Sequence, residues 1–248
     1  MDQQTKAELK QDNFIDATTH GLSWASENRR SVIVTSIALL GVILILVAGL
    51  VFYNNRSQAA SVAFGDAMAA YQAPIAQPGQ PIPVGMKTYN SIPERAKAAN
   101  ALFLSAADKY GMTPAGKNAL YFAGLTSMEA GENASAETTF KKVADSWDSD
   151  LASLAKLSLA QLYRSTGRSP QAIEIYNQLT AKPTTTVPAG LAQIDLAELY
   201  EAQNQPEAAK KIYAQLKDKD AKGPAGLLAA QKLNPAPAGA GLPPQAPQ

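Results

Sequence analysis

One uninterrupted apolar segment dominates the pattern of hydrophobic and polar positions. Residues 31–55 contain no charged side chain, and the 22 residues of Val32–Tyr53 have the sequence VIVTSIALLGVILILVAGLVFY. As a helix this segment would extend about 33 Å, against about 30 Å for the hydrocarbon core of a bilayer. Arginines bracket the segment: Arg29, Arg30 and Arg56. The pattern predicts a transmembrane helix over residues 31–55.

A cleaved signal peptide, cut near Ser61–Ala63, is the alternative interpretation of this segment. The apolar core of a secretory signal is usually about 7–15 residues long and follows a short basic stretch. Here the apolar segment is longer and begins only at Val32. The sequence therefore favours an uncleaved signal anchor.

Basic residues are more frequent before the apolar segment than directly after it. Four of them precede it: Lys6, Lys10, Arg29 and Arg30. After Arg56 the next basic residue is Lys87. Because positive charge is retained on the inner side of a membrane, this distribution predicts a cytoplasmic N-terminus. The long C-terminal region would then lie outside, in a periplasm or an equivalent space.

Three flanking segments have distinct compositions. Residues 1–30 are predicted to form a cytoplasmic leader, either as a short amphipathic helix on the membrane surface or as a mostly disordered tail. Residues 56–93 begin with Ser57–Tyr71, an Ala-rich helical extension without Pro, and end in a Pro-rich loop. Residues 234–248 are uncharged and rich in Pro, Ala, Gly and Gln, which predicts a disordered tail.

Between these segments, residues 94–233 have a helical pattern with turn residues at short intervals. Three windows align around a turn residue, at intervals of 36 and 37 residues: Gly131, Gly167 and Asn204. An alanine lies five residues after each turn: Ala136, Ala172 and Ala209. An aromatic residue follows four positions later: Phe140, Tyr176 and Tyr213. A small residue lies seven positions before each turn: Gly124, Ala160 and Ala197.

This spacing places small residues where the two helices of a hairpin approach each other, and a large aromatic side chain between successive hairpins. The windows resemble tetratricopeptide repeats, whose small-and-large pattern is matched by Leu196-Ala197-x-x-Tyr200 and Ala209-x-x-x-Tyr213. The resemblance implies an all-α fold, in which a single N-terminal transmembrane helix is followed by a tetratricopeptide-like helical-hairpin solenoid over residues 94–233. A fourth hairpin is predicted from Ser57–Tyr71 and a helix carrying Ala99-x-x-x-Phe103.

Composition narrows the classes of function. Lys+Arg 22 against Asp+Glu 21 gives a formal charge of +1, which argues against nucleic-acid binding. The absence of Cys and a single His, His20, exclude thiolate metal sites and argue against His-based catalysis. Carboxylate pairs such as Glu198 with Glu201 are neighbours on Ala-rich helices, which is typical of a solvated face. The sequence therefore predicts a protein-binding or scaffold protein rather than an enzyme, without a cofactor, a metal or a small-molecule substrate.

The order of segments carries a second resemblance. The leader ends in Leu22–Arg30, LSWASENRR, and is followed by one membrane helix and then by repeats. This order is similar to that of the ancillary subunits of the SecYEG translocon, the YfgM type. The resemblance implies a bacterial inner-membrane accessory of protein translocation with a periplasmic repeat domain. Its partners would be translocon subunits, periplasmic chaperones or translocated chains. A structural scaffold for outer-membrane assembly or cell division is the alternative, because such proteins carry similar repeats.

The tetratricopeptide resemblance also implies a protein-binding groove lined by the first helix of each hairpin. Eight residues occupy the corresponding positions: Asn118, Tyr121, Leu125, Met128, Gln161, Arg164, Glu198 and Glu201. Tyr121 is expected to offer an aromatic platform, and Arg164 a forked hydrogen-bond donor. For Leu125 and Met128 a place in the hydrophobic core is an equal alternative. The mixture of polar and apolar side chains suits extended peptide segments.

Overall fold

The computed structural model describes residues 28–76 and 87–235, and over these residues the chain is helical apart from turns and one isolated β-bridge, Ile75 with Tyr89. The helices are α1 (Arg29–Tyr71), α2 (Ile92–Tyr110), α3 (Pro114–Glu129), α4 (Asn133–Ala144), α5 (Ser149–Ser165), α6 (Ser169–Ala181), α7 (Ala189–Ala202), α8 (Pro206–Lys219) and α9 (Pro224–Leu233). The predicted all-α fold is confirmed. Parts of three predicted features lie outside the described residues: most of the leader, with His20, residues 77–86 of the Pro-rich loop, and most of the Pro/Ala tail.

The chain divides into two compact units, one up to Arg56 and the other from Ser57 onward. In the first unit the apolar side chains of α1 are exposed, for example Leu44 and Ile45. Among the described residues, α1 is the one helix that is long and apolar enough, by length and composition, to cross a membrane. An apolar helix with no protein packed on its sides is the form expected of a segment that meets lipid.

In the second unit, the three predicted turns share one backbone geometry. Gly131 and Gly167 have φ values of +78° and +75°, and Asn204 has a φ of +57°. After each turn residue, the next N–H donates to the carbonyl oxygen five residues earlier, for example from Glu132 to Ser127 at 2.8 Å. Glycine, and less often asparagine, adopts this left-handed conformation without the clash that a larger residue meets. The local chemistry therefore ends each first helix where the repeat requires.

The predicted small-and-large pattern forms the core of the repeats. Gly124 lies directly beneath the ring of Phe140, because a Cβ at position 124 would be 2.5 Å from a ring carbon. The aromatic residues at this repeat position are fully buried: Phe140, Tyr176 and Tyr213. The alanines that precede them by four residues are also buried: Ala136, Ala172 and Ala209. The small residues thus allow the close helix approach that the sequence predicts.

The Ser57–Tyr71 part of α1 pairs with α2 as an additional hairpin. Phe64 packs against Phe103 with ring centroids 5.7 Å apart, and Ala67 and Ala99 are fully buried in the same cluster. At the other end of the unit, α9 packs on α7 and α8, and a Cβ at Gly190 of α7 would lie 2.6 Å from that of Ala225. The tetratricopeptide-like hairpins are therefore flanked by helical packing at both ends.

A polar cluster couples the first and second repeats. Glu137 of α4 accepts hydrogen bonds from Lys141 at 2.7 Å, from the Tyr163 hydroxyl at 2.9 Å and from Arg168 at 2.6 Å. The bonds from Lys141 and Arg168, with that from Tyr163, lower the pKa of Glu137 from 4.5 to about 2 despite some desolvation. Since the folded pKa is depressed, the stabilising effect is present above the unfolded pKa and is lost as the pH falls toward 2.

Replacing Glu137 by glutamine is expected to lower the free energy of unfolding at pH 7 by about 1–2 kcal/mol, because charged hydrogen bonds are lost at a partly exposed site. The variant should also show a flatter decline in stability between about pH 5 and pH 2. Urea denaturation followed by circular dichroism at several pH values measures both effects. Glu174→Gln, on an exposed part of α6, is the matched control. If the free energy of unfolding declined equally steeply with falling pH in Glu137→Gln and in wild type, the lowered pKa assigned to Glu137 would be wrong.

Candidate protein-binding surface

The predicted groove residues lie on α3, α5 and α7, the first helices of the three repeats. Side chains at equivalent turns of neighbouring helices touch. The Tyr121 hydroxyl is 3.1 Å from the Ser158 hydroxyl, and Arg164 is 3.6 Å from a Glu198 carboxylate oxygen. We call the surface carrying the eight predicted residues the groove face. These contacts join α3 to α5 through Tyr121, and α5 to α7 through Arg164 and Glu198.

One end of the groove face is a ladder of ion pairs. Arg164 pairs with Glu198, Glu198 pairs with Lys232 at 3.3 Å, and Lys232 pairs with Glu201 at 3.5 Å. Each of these four side chains is about one third to two fifths exposed to solvent, so the charges are accessible to a partner. Partial burial lowers the pKa of Lys232, but the bonds with Glu198 and Glu201 outweigh it and raise that pKa. Lys232 therefore stays protonated at neutral pH within the charge ladder, as we name these four residues.

Beneath the charge ladder lie buried polar groups. Burial raises the pKa of the Tyr176 and Tyr213 hydroxyls, and the carboxylates of Asp195 and Glu201 raise them further. Desolvation also raises the pKa of Asp195, which a hydrogen bond from Gln161 partly counteracts. The hydroxyls are neutral at physiological pH, so the charge on this part of the surface comes from the carboxylates and the two cations above them.

The other end of the groove face is apolar. Tyr121, Leu125 and Met128 are half-buried and pack against the main hydrophobic cluster. The Tyr121 ring is 5.7 Å from that of Phe122 and 6.1 Å from that of Phe140, centroid to centroid. Only the part of the Tyr121 ring that does not pack against these neighbours is therefore available to contact a partner. Leu125 and Met128 combine the two predicted roles, because each contacts the core and keeps a partly exposed side. Asn118 and Gln161 are exposed.

Sequence reasoning missed contacts at both ends of this surface. Lys232 lies in α9, outside the three aligned windows, so no repeat position indicated its role. The Tyr71 hydroxyl donates to Glu129, and Arg95 lies 3.8 Å from the same carboxylate. Burial and this hydrogen bond raise the pKa of Tyr71 to about 12. The α1–α2 connection departs from the repeat spacing, so no sequence signal could have paired Tyr71 with Glu129.

A comparison with protein-family models agrees with the spacing of the repeats. A tetratricopeptide repeat family model matches residues 123–185 and, overlapping them, residues 157–224. No curated protein matches the chain. Two crystal structures, of the nearly identical TPR-like repeats ascribed to a Podosopora anserina kinesin light chain and of a variant of them, are each 19% identical. Each match covers 56% of this chain and 76% of that one, with a TM-score of 0.47.

The family match begins at residue 123, in the C-terminal half of α3, and spans α4 to α8, the helices that contain the aligned windows. The chain therefore carries tetratricopeptide-like repeats over this part, which indicate a protein–protein interaction module. Scaffolds of this kind are typically non-catalytic and present side chains from their first helices to other proteins.

Proposed function

We propose that this protein is a membrane-anchored protein-binding module that assists protein translocation and the hand-off of translocated chains to periplasmic chaperones. The observation that carries the proposal is the charge ladder beside an apolar strip on the groove face. Alternating charges at Arg164, Glu198 and Lys232 match backbone and side-chain groups of an extended polypeptide, and the apolar strip accommodates its hydrophobic residues. The one long apolar helix among the described residues supports the anchor.

The translocation role is supported by the leader rather than by the repeats. Its sequence LSWASENRR, ending at Arg30, precedes the apolar helix in the order typical of ancillary translocon subunits. The excess of basic residues before the helix supports a cytoplasmic N-terminus and a periplasmic repeat unit in a bacterial inner membrane. A scaffold for outer-membrane assembly or cell division would use the same groove face with different partners, so partner identity distinguishes the two functions.

Site-specific crosslinking tests the function directly. A photo-reactive amino acid at Gln161, exposed on the groove face, is expected to capture translocon subunits, periplasmic chaperones or translocated chains in cells. The same probe at Gln215, exposed on α8, is the matched control and should give much weaker adducts. Mass spectrometry of the adducts identifies the partners. Recovery of division or outer-membrane assembly proteins from Gln161 would support the scaffold instead, and equal adducts at both positions would contradict use of the groove face.

Protease accessibility tests the topology. With the N-terminus inside, protease added to intact spheroplasts should digest the repeat unit, because residues 57–235 would be outside the membrane. An epitope at residue 2 should remain protected until the membrane is opened with detergent. Immunoblotting against the epitope and against the repeats measures both results. Protection of the repeats in intact spheroplasts would show that the orientation is reversed.

A further inference from the structure

Asp195 differs from the other acidic residues of the repeat unit. Among the acids that the structure describes, only Asp195 and Glu129 have a buried carboxylate oxygen without a hydrogen-bond partner. Glu129 has a cation close by, because Arg95 lies 3.8 Å from that oxygen. Asp195 forms no ion pair within the described residues. An unpaired and partly buried carboxylate is unfavourable, and desolvation raises the pKa of Asp195 for this reason.

Asp195 lies on the groove face, although it is not one of the eight predicted residues. It precedes Glu198 by three residues on α7, so the two side chains lie on the same side of the helix. Gln161 donates a hydrogen bond to Asp195, and Arg164 acts on it through its charge. Asp195 is half-buried, so part of it is open to solvent. The groove face therefore contains a carboxylate with which no described cation is paired.

A second unpartnered group adjoins Asp195. The Tyr176 hydroxyl is buried and has no hydrogen-bond partner, and the Asp195 carboxylate acts on it through its charge. Packing does not require this hydroxyl, because the equivalent residue of the first repeat is Phe140, which is equally buried. A buried hydroxyl without a partner destabilises a fold, so phenylalanine would serve packing better at this position. In the third repeat, Tyr213 has Glu201 beside its hydroxyl.

The charges around Asp195 alternate along the groove face. Three carboxylates and two cations form the series, in the order Asp195, Arg164, Glu198, Lys232 and Glu201. Arg164 is engaged with Glu198, and Lys232 is shared by Glu198 and Glu201. The charged groups that act on Asp195 and Tyr176 all belong to this series. The series thus has one more carboxylate than it has cations, and its unpaired end is Asp195.

A cationic side chain is the group that this arrangement lacks. A lysine ammonium has three hydrogen-bond donors and no acceptor, and an arginine guanidinium has five donors and no acceptor. Either group can pair with Asp195 and donate to the Tyr176 hydroxyl as well. An acidic side chain would instead add a fourth carboxylate beside one that is already unpaired. Charge complementarity therefore selects a basic residue of the partner.

We propose that the groove face binds a lysine or arginine side chain of its partner polypeptide at Asp195, with the Tyr176 hydroxyl as a second acceptor. The side chains around these groups have to shift to admit it, and such rotamer changes are common when partners bind. The apolar end of the groove face then takes a hydrophobic residue of the same segment. The preferred ligand is thus an extended segment with apolar and basic residues. The proposal rests on the proposed use of the groove face, but not on the membrane anchor.

Binding of matched synthetic peptides to the full chain in mild detergent tests the proposal. The short peptides contain Ala, Ser and Leu, have capped ends, and differ only in a central Lys, Arg, Gln or Glu. By fluorescence anisotropy, the Lys and Arg peptides should bind about ten-fold more tightly than the Gln peptide, and the Glu peptide should bind most weakly. Asp195→Asn should abolish this preference and leave the affinity for the Gln peptide unchanged. Tyr176→Phe should weaken binding of the Lys peptide by about three-fold, whereas Tyr213→Phe should not.

A matched control and a crosslink separate the contact from a general charge effect. Asp218→Asn, on an exposed part of α8, should bind every peptide as wild type does. Carbodiimide joins a carboxylate directly to a lysine amine, so it should attach the Lys peptide to Asp195 of the wild-type chain, a result that does not depend on any variant folding. Attachment only to exposed acids such as Asp218 would overturn the proposal.

The peptide affinities also distinguish this proposal from the proposed function. Equal affinities for the Lys and Gln peptides, or a preference that persists in Asp195→Asn, would overturn the basic-residue site and leave the groove face as the binding surface. Tighter binding of the Glu peptide would overturn it in favour of an acidic ligand held by Arg164 and Lys232. Failure of every peptide to bind would overturn both the basic-residue site and the use of the groove face for extended segments.

Discussion

Replacing Phe140 by alanine is expected to lower the free energy of unfolding by about 3–5 kcal/mol, the range for large aromatic truncations in a core. Phe140 has no exposed surface, its ring covers Gly124, and it packs against the ring of Tyr121. Since domains are stable by only about 5–15 kcal/mol, this single change should bring the repeats close to unfolding. Urea denaturation of the full chain in mild detergent, followed by circular dichroism, measures the loss. Phe52→Ala, in the exposed part of α1, is the matched control and should leave repeat unfolding unchanged.

A second pair of variants tests whether the loss comes from the small-and-large contact. Gly124→Ala should destabilise the repeats even though alanine favours helices, because the added Cβ would lie 2.5 Å from the buried ring of Phe140. Combining it with Phe140→Leu should give less destabilisation than the sum of the single changes, since a smaller side chain makes room for the Cβ. A more stable Gly124→Ala variant would show that the assigned contact is wrong.

The sequence specified those parts of the fold that depend on local chemistry repeated at a fixed period. Gly131, Gly167 and Asn204 marked the turns because few residues adopt a positive φ, and all three have it. Small and aromatic residues marked the helix contacts, because only such pairs fit a close approach. Contacts outside the period were not predictable. Lys232 joins the charge ladder from α9, where no window provided an equivalent position.

For the proposed binding surface, the sequence indicated positions on each helix but not the contacts between helices. The groove residues fall on one face because α3, α5 and α7 repeat in phase. Which groove residues contact each other depends on the distances between helices, and residue spacing along one helix does not predict those distances. Arg164 was expected to be a forked hydrogen-bond donor, and it lies 3.6 Å from Glu198, one helix away, a partner that the sequence did not indicate. Tyr121 was expected to be a platform, yet its ring and its hydroxyl are both engaged with neighbouring side chains. The arrangement is thus more preorganised than the sequence suggested.

Reversing the charge ladder is expected to weaken partner capture by about 30-fold, or about 2 kcal/mol, while the fold remains intact. The variant carries four changes: Arg164→Glu, Glu198→Lys, Glu201→Lys and Lys232→Glu. Each ion pair is retained with its direction reversed, so the free energy of unfolding should change by no more than about 1 kcal/mol, as for partly exposed pairs. A partner that reads the order of charges, however, then meets like charges. Quantitative crosslinking from Gln161, or pull-down of the partners that it identifies, measures the loss.

The matched control reverses a pair on the outside of the repeats. Glu207 and Lys210 of α8 lie 3.0 Å apart and are largely exposed, so Glu207→Lys with Lys210→Glu changes surface charge without touching the groove face. This variant should capture partners as wild type does. Loss of capture in both variants would indicate a general charge effect. Unchanged capture by the reversed charge ladder, in a folded protein, would show that partners bind through the apolar end of the groove face, around Leu125 and Met128, or through another surface.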